Sequence, residues 1–272
     1  MCVFGNRSPQ RQSLLMILRM TTKKTFTIVT ITYNNRAGLS KTAHSILAQT
    51  CLDYEWLIID GASADGTQED LPQYAIAHII SEPDQGIYDA MNKGLDHAAG
   101  QYVIFMNAGD QFADKDILKI AKDHLTLSPD LLYGDAYEDT EQGIRHYKAA
   151  KPPKQITRGL FTHHQAIFYR TEALGTLRYD LSYKIAADYH LTLSFLKEMR
   201  TTTYLPLPIC IFEGGGISQQ NIKLGREEQS RARRDLGIPY WLNLAITQKQ
   251  KAASLLRRYC PNLFWRLKRK AP

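Results

Sequence analysis

Residues 25–33 (TFTIVTITY) are apolar or β-branched almost without a break, and a helix-spaced stretch, 37–49, follows at once with Leu39, Ala43, Ile46 and Leu47 recurring on one side. A strand that is apolar on both faces belongs inside a sheet covered by helices above and below, as parallel sheets are. The pattern then repeats. Strands are predicted over 54–59, 76–80 and 102–106, helices over 86–99 and 117–127, and a fifth strand begins at 131. Such alternation predicts an α/β fold: a mostly parallel, Rossmann-like central sheet flanked by helices. Right-handed crossovers bring the strand C-terminal ends to one edge, where ligands of these sheets bind. The polar clusters fall there: Tyr33-Asn34-Asn35, residues 60–67, residues 82–86 and residues 107–110.

Further along, 165–170 reads as a strand, 185–199 as a helix, 203–212 as extended and 212–216 as a flexible glycine loop, with Lys151-Pro152-Pro153 as a linker. The chain has 272 residues, 44% apolar and 22% charged, which suits one large domain or a domain with an appendage. No apolar run approaches the ~18 residues of a spanning helix, and Leu14-Leu15-Met16-Ile17-Leu18 is short for a signal peptide. The four cysteines, Cys2, Cys51, Cys210 and Cys260, form no CxxC pair, so neither a structural zinc site nor a disulfide framework is expected, as in a reducing cytoplasm. The net charge of +7 is uneven: residues 1–24 carry five basic and no acidic residues, 25–222 sum to −8, and 223–272 to +10. We therefore divide the chain into an N-terminal extension (1–24, expected to be flexible, with Met20 as an alternative start), an acidic body (25–222) and a basic helical C-terminal extension (223–272).

Each rim cluster has two readings. Asp60, at a strand end, is placed to accept a hydrogen bond from a ribose or a base, or to make a turn; Asp65 is better read as a helix cap. Asn107-Ala108-Gly109-Asp110 offers an amide and a carboxylate for Mg²⁺ or Mn²⁺, or is a turn. Of His163 and His164, one is expected to be structural and one at the rim. Asp188, early in a helix, is a dipole partner or a general base. Gly214-Gly215-Gly216-Ile217-Ser218 packs on phosphates or moves freely. No GxxxxGK[ST], GxGxxG or GxSxG element occurs, which disfavours a P-loop NTPase, a dinucleotide-binding dehydrogenase and an α/β-hydrolase.

Taken in order, Thr30-Ile-Thr-Tyr-Asn34, Ile59-Asp60-Gly-Ala-Ser-Ala-Asp-Gly-Thr67, Ser81-Glu-Pro-Asp-Gln-Gly-Ile-Tyr-Asp-Ala-Met-Asn-Lys-Gly94, Phe105-Met-Asn-Ala-Gly-Asp110, His164-Gln165-Ala166-Ile167-Phe168 and Ala187-Asp188-Tyr189 resemble the glycosyltransferase family 2 signature on a GT-A fold. The resemblance spans about residues 25–220, and is nearest to the bacterial exopolysaccharide, colanic-acid-type branch. It implies an inverting transfer of one sugar from a nucleoside-diphosphate sugar, UDP-linked before GDP-linked, to an acceptor hydroxyl. The acceptor is expected to be a lipid-linked oligosaccharide or other saccharide in cell-surface polysaccharide synthesis. It makes 25–135 the donor half and 136–222 the acceptor half. Asp60 is expected at the nucleotide base with Tyr33 beside it, and Asn34, Asp84, Lys93 and Asn107 in the donor pocket. Asp110 falls at the metal, Mg²⁺ or Mn²⁺, and Asp188 at the general base; His164, Gln165, Gly215 and Ser218 fall at the acceptor or phosphates.

The chain departs from the family pattern in three places. The Asp-x-Asp-Asp motif keeps only its last acid, Asp110; Ala187 stands before Asp188 where Glu is usual; and Gln229-Ser-Arg-Ala-Arg233 lacks the tryptophan of processive synthases, so one sugar per binding event is expected. From 240 to 270, apolar residues at helical spacing mix with basic ones, which predicts either a contact with anionic membrane from the cytoplasmic side or a helix packed on the domain. Three other readings compete. A sugar-nucleotidyltransferase would want glycine in the first loop, a nucleic-acid binder would not carry this acidic body, and an inactive nucleotide-binding member would not need Asp188. No nucleic-acid partner is expected.

Overall fold

A computed structural model describes residues 23–140, 142–198 and 200–259. Its strands are β1 (Phe26–Thr32), β2 (Tyr54–Asp60), β3 (His78–Ser81), β4 (Tyr102–Phe105), β5 (Gln111–Phe112), β6 (Leu131–Asp139), β7 (Arg145–Lys148), β8 (Ile167–Arg170) and β9 (Thr202–Glu213). The longer helices are α1 (Arg36–Leu47), α2 (Ile87–His97), α3 (Ile117–Asp123), α4 (Ala187–Lys197), α5 (Ile222–Asp235) and α6 (Tyr240–Tyr259). The strands form one sheet in the order β3-β2-β1-β4-β8-β6-β9-β5, with β7 paired to β6.

β3, β2, β1 and β4 run parallel, as do β6 and β9. Antiparallel pairing enters only in the second half, where β8 lies between β4 and β6, β5 adds to β9, and β7 folds back on β6. The expected α/β architecture with a mostly parallel sheet is the one observed.

β1 explains its own sequence. Phe26 and Ile28 face α1 and α3 in one core, and Val29 and Ile31 face α2 and α4 in the other, with all seven residues buried. Burying each large aliphatic or aromatic side chain contributes about 1.5–3 kcal/mol, so β1 anchors the sheet more firmly than β3, where no residue is fully buried. α2 packs close because Gly94 has no Cβ; one would sit 2.4 Å from Val29 Cγ1.

Three local expectations change. Lys151-Pro152-Pro153 is no linker: Pro153–Arg158 winds a 3-10 helix that buries Ile156, and the Lys151 N–H donates to Phe161 O at 2.7 Å. The strand expected from 165 starts at Ile167, because His164–Ala166 makes a 3-10 turn first. The loop expected at 212–216 is strand up to Glu213, and the Gly214 N–H donates to Asp139 O at 2.8 Å. The chain also continues past residue 222 without a break in packing, as α5 lies against α4.

Candidate active site

The C-terminal ends of β1, β3 and β4 open into a cleft of ≈ 1070 Å³ whose far wall comes from β6, β7, β9, α4 and α5. On the near wall stand Tyr33, Asn35, Asp84, Gly86, Asn107 and Asp110. Facing them stand Glu138, Lys148, His163, Asp188, Glu213 and Arg226.

The turn at 107–110 is held from three sides. Thr42 of α1, fully buried, donates its hydroxyl to Asn107 O (3.0 Å) and Asp110 O (2.6 Å) and accepts the Gly109 N–H (3.0 Å). Gln165 Nε2 donates to Asp110 Oδ2 at 2.8 Å, and the Glu213 N–H donates to Oδ1 at 3.0 Å. Glu213's carboxylate occupies the space a side chain on Gly109 (φ +107°) would need. Burial pushes the Asp110 carboxyl up to about 7, and the Glu213 charge adds to the rise, against the two donated hydrogen bonds.

In the same turn Asn107 Oδ1 is buried and has no hydrogen-bond partner. An orphaned carbonyl oxygen, a buried carboxyl and a second carboxylate, Glu213, which also pairs with Lys41 at 2.7 Å, make an all-oxygen set that fits Mg²⁺ or Mn²⁺. No group of three His, Cys, Asp or Glu able to hold an ion occurs among the described residues. The set is thus of the kind that relies on substrate phosphates to complete it.

The loops of the near wall are tied to one another. Asn34 (φ +47°) donates its N–H to Ser63 Oγ and accepts the Ala64 N–H, each at 2.8 Å. Asn35 caps α1 by accepting the Gly38 N–H and reaches Ala108 O at 3.1 Å. Tyr33 is left 64% exposed at the mouth. Asp84 accepts the Gly86 N–H at 2.8 Å and lies against Gly61.

Of the other expected site residues, Asp60, Lys93 and Asn34 turn away from the cleft, while His164, Gln165 and Gly215 border it. Asp60 is fully buried and accepts from Ser63 N, Ser63 Oγ and Ser81 Oγ. It braces the loops behind the cleft wall. Lys93 binds Glu82 (2.8 Å) and Pro83 O (2.8 Å), fastening the 82–86 loop to α2. Asn34 likewise bonds to the neighbouring loop and does not line the cleft. His164 is the structural histidine: it stacks on Phe105, bonds Tyr179 Oη at 2.7 Å, and is pushed down to about 3 by burial. Gln165 acts through Asp110. Gly215 lines the cleft and donates its N–H to Gln219 Oε1 at 2.9 Å. Ser218 lies on the short helix Ile217–Gln220, its side chain outside the described residues.

Asp188 lies in the first turn of α4 and reaches the cleft. Burial pushes its carboxyl up to about 6 and the Glu228 carboxylate adds to this, while the Tyr189 N–H, donated at 2.7 Å, opposes. Such a value suits a base that works near neutrality.

His163, the rim histidine, stacks on Phe212 and meets Lys148 (3.0 Å) and Glu138 (3.4 Å). The His163 contact, with Lys148, holds the Glu138 carboxyl down to about 2, while burial lowers both His163 and Lys148. Sequence reading passed over Thr42, Glu138, Lys148, Glu213 and Glu228. No short motif marks them, because the β6–β7 hairpin, the long-range pairing of β6 with β9 and the packing of α5 on α4 deliver most of them. Glu228 leaves one trace: Gly225, Glu228 and Ala232 share a helix face whose small residues signal close packing.

The family model described as "Glycosyl transferase family 2" matches residues 27–186. A "PGL/p-HBAD biosynthesis glycosyltransferase" of Mycobacterium tuberculosis is 34% identical over 208 residues, 71% of this chain and 78% of the relative. Among solved structures, S. aureus TarS 1–349 in complex with UDP superposes with a TM-score of 0.63 at 18% identity, covering 88% of this chain and 72% of that one. The mannosyltransferase PcManGT from Pyrobaculum calidifontis, in complex with GDP-Man and Mn²⁺, gives 0.59 at 18% identity over 90% and 84%. The shared architecture is the GT-A fold.

Proposed function

This chain belongs to glycosyl transferase family 2, and we propose that it transfers one sugar per binding event from a nucleoside diphosphate to an acceptor hydroxyl, with inversion. The observation that carries this reading is one cleft shared by Asp110, on the donor side, and Asp188, at the base of the opposite wall.

In this reading the exposed Tyr33 ring offers the nucleotide base a stacking face, and Asp84 and Gly86 bound the sugar. Asn107, Asp110 and Glu213 hold a divalent cation. When bound, that ion supplies the charge that steadies the departing diphosphate. Asp188 accepts the proton of the acceptor hydroxyl as its oxygen bonds to the anomeric carbon. The bond from that carbon to the diphosphate oxygen breaks on the opposite side, and its electron pair leaves with the diphosphate. Help of this kind is typically worth ~10²–10⁴-fold.

UDP is the favoured nucleotide, as in the TarS complex, with GDP, as in PcManGT, the second choice. The acceptor is taken to be a lipid-linked oligosaccharide of cell-surface polysaccharide assembly, reached at the cytoplasmic face of the membrane. No helix among the described residues is long and apolar enough to cross a membrane. A surface contact through 240–270 is supported by the exposed Tyr240 (73%) and Trp241 (70%) of α6 and by the basic residues after them; residues 260–272 lie outside the described part.

Calorimetric titration of UDP and of GDP, with and without Mn²⁺, tests the reading in wild type and Asp110→Ala. Metal-dependent binding of one nucleotide, lost in the variant, is expected. Failure of both nucleotides to bind under every condition refutes it.

A further inference from the structure

Glu228 lies on α5, 42 residues beyond the last position matched by the family model. It is 7% exposed, yet no Lys or Arg pairs with it among the described ion pairs. Its carboxylate instead accepts three consecutive backbone N–H groups: Lys184 at 2.8 Å on Oε1, then Ile185 (2.8 Å) and Ala186 (2.9 Å) on Oε2. These residues lead directly into α4, whose second residue is Asp188.

The rest of α5 binds the same segment. Arg231 Nη2 donates to Ser182 O at 2.9 Å, with its guanidinium 3.8 Å from the Tyr183 ring centroid. The Tyr183 hydroxyl donates to Asp235 at 2.7 Å. Gly225 lets the helix approach, since a Cβ there would meet Ile185 at 3.2 Å. On the other side Tyr88 of α2 donates its hydroxyl to Ile185 O at 2.7 Å.

A carboxylate that answers three N–H groups in a row fixes a loop more tightly than a charge pair would, because each bond is charge-assisted and directional. A chain needing only to pack α5 on α4 would find an apolar residue cheaper to bury there. We propose that Glu228 is a positioning residue, which sets both the placement of Asp188 and the charge Asp188 feels. This rests on the assignment of Asp188 as the base.

The groups acting on Asp188 agree. Tyr88 of α2, Tyr169 of β8 and Tyr179 border it, each with its hydroxyl raised by burial and held neutral. Lys184 and Arg226 line the same cleft, and the Glu228 charge adds to the rise that burial causes at Asp188. Removing that charge must lower the pH at which Asp188 becomes a base.

The test uses the full chain and follows nucleoside diphosphate release from UDP-GlcNAc or GDP-mannose, whichever nucleotide binds, with water taking the sugar in place of the acceptor hydroxyl, from about pH 5 to pH 8, in wild type, Glu228→Gln, Glu228→Asp and Asp188→Asn. Glutamine offers one acceptor oxygen and turns an NH₂ toward a backbone donor. Glu228→Gln is expected to lower kcat by about tenfold or more, part of the ~10²–10⁴ a base supplies. Donor affinity stays within about twofold, since binding and turnover are separable, and the acid limb of the profile moves to lower pH. Glu228→Asp keeps the charge, so its limb stays at the wild-type pH while kcat falls.

A Glu228→Gln protein with the wild-type kcat and limb overturns the proposal. So does one in which kcat, donor affinity and Tm fall together with the limb unmoved. If Glu228→Gln fails to fold, Glu228→Asp decides alone: reduced kcat at unchanged donor affinity supports the proposal, and wild-type kcat overturns it. If Asp188→Asn turns over like wild type, the assignment of the base fails first, and the proposal with it.

Discussion

Thr42→Val isolates a single hydroxyl. Valine matches threonine in shape and both are stiff at χ1, so packing in the buried site is kept and only polarity is lost. Three contacts go: those to Asn107 O and Asp110 O, and the one that receives the Gly109 N–H. Asn107 O keeps the Asp110 N–H as a partner at 2.9 Å. The uncompensated groups are therefore one buried donor, Gly109 N–H, and one acceptor, Asp110 O. An unsatisfied buried group costs about 1–3 kcal/mol, so with two of them the variant should lose about 2–6 kcal/mol. At about 2–4 °C per kcal/mol for a chain of this size, Tm should fall by about 4–24 °C. Without its brace the turn also lets Asp110 and Asn107 drift, so affinity for the nucleotide with Mn²⁺ should weaken by more than stability alone predicts. The assays are thermal unfolding of the free protein and calorimetric titration of the nucleotide below the variant's transition, with Thr42→Ser as the control that restores the hydroxyl. A Tm within about 1 °C of wild type, with unchanged affinity, refutes the reasoning, since that is below the loss expected for even one unpaired group.

Other predictions follow from packing, protonation and the tail. Gly94→Ala should destabilise by about 1–3 kcal/mol despite the better helix propensity of alanine, because the new Cβ meets the stiff Val29 side chain at 2.4 Å; a rise in Tm would show that α2 shifts freely. His164 is pushed down to about 3 in the folded chain, so it stays neutral there while the unfolded chain binds a proton below about 6.5. Its contribution is therefore whole above pH ~6.5 and lost as the pH falls toward 3, reaching ~2 kcal/mol at pH ~5. His164→Gln should flatten Tm against pH between those values, and equal slopes in both proteins would count against it. Deleting residues 261–272 should reduce binding to vesicles of anionic lipid, by ~1 kcal/mol for each basic residue removed from the surface; unchanged binding excludes the tail as a membrane contact.

The first half of the fold was legible because its strands are buried on both faces and its helices follow at ordinary spacing. Phe26 to Thr32 could hardly be anything else. The direction of a carboxylate was not legible. Asp60 and Asp110 both stand at strand ends, yet Asp60 turns back onto Ser63 and Ser81 while Asp110 reaches the cleft. The spacing of Asp60 and Ser63 is a turn signal as much as a ligand signal. The far wall of the cleft was less legible still. Glu138 and Lys148 share the local β6–β7 hairpin, but the His163 ring is held beside them by Phe212, which reaches them only because the distant β9 pairs with β6. Glu228 sits in a helix so rich in charge that its one buried acid looks like its exposed neighbours.

The two-residue strand β5 has a mechanical meaning. Through Gln111 and Phe112 it stitches the turn at Asp110 to the end of β9, and Ala113 N–H continues the seam to Ile209 O at 2.9 Å. Ser45 and Thr42 pin the same seam to α1. The two halves of the molecule are thus welded along the edge of the cleft that bears the proposed cation ligands, and a hinge there would have to tear a sheet. The rim is less crowded than the floor: a Cβ added at Gly86 or Gly216 would meet nothing within 4 Å. The same seam that closes the sheet therefore also fixes Asp110 against the end of β9, so the floor of the cleft is held by backbone pairing and not by side chains alone.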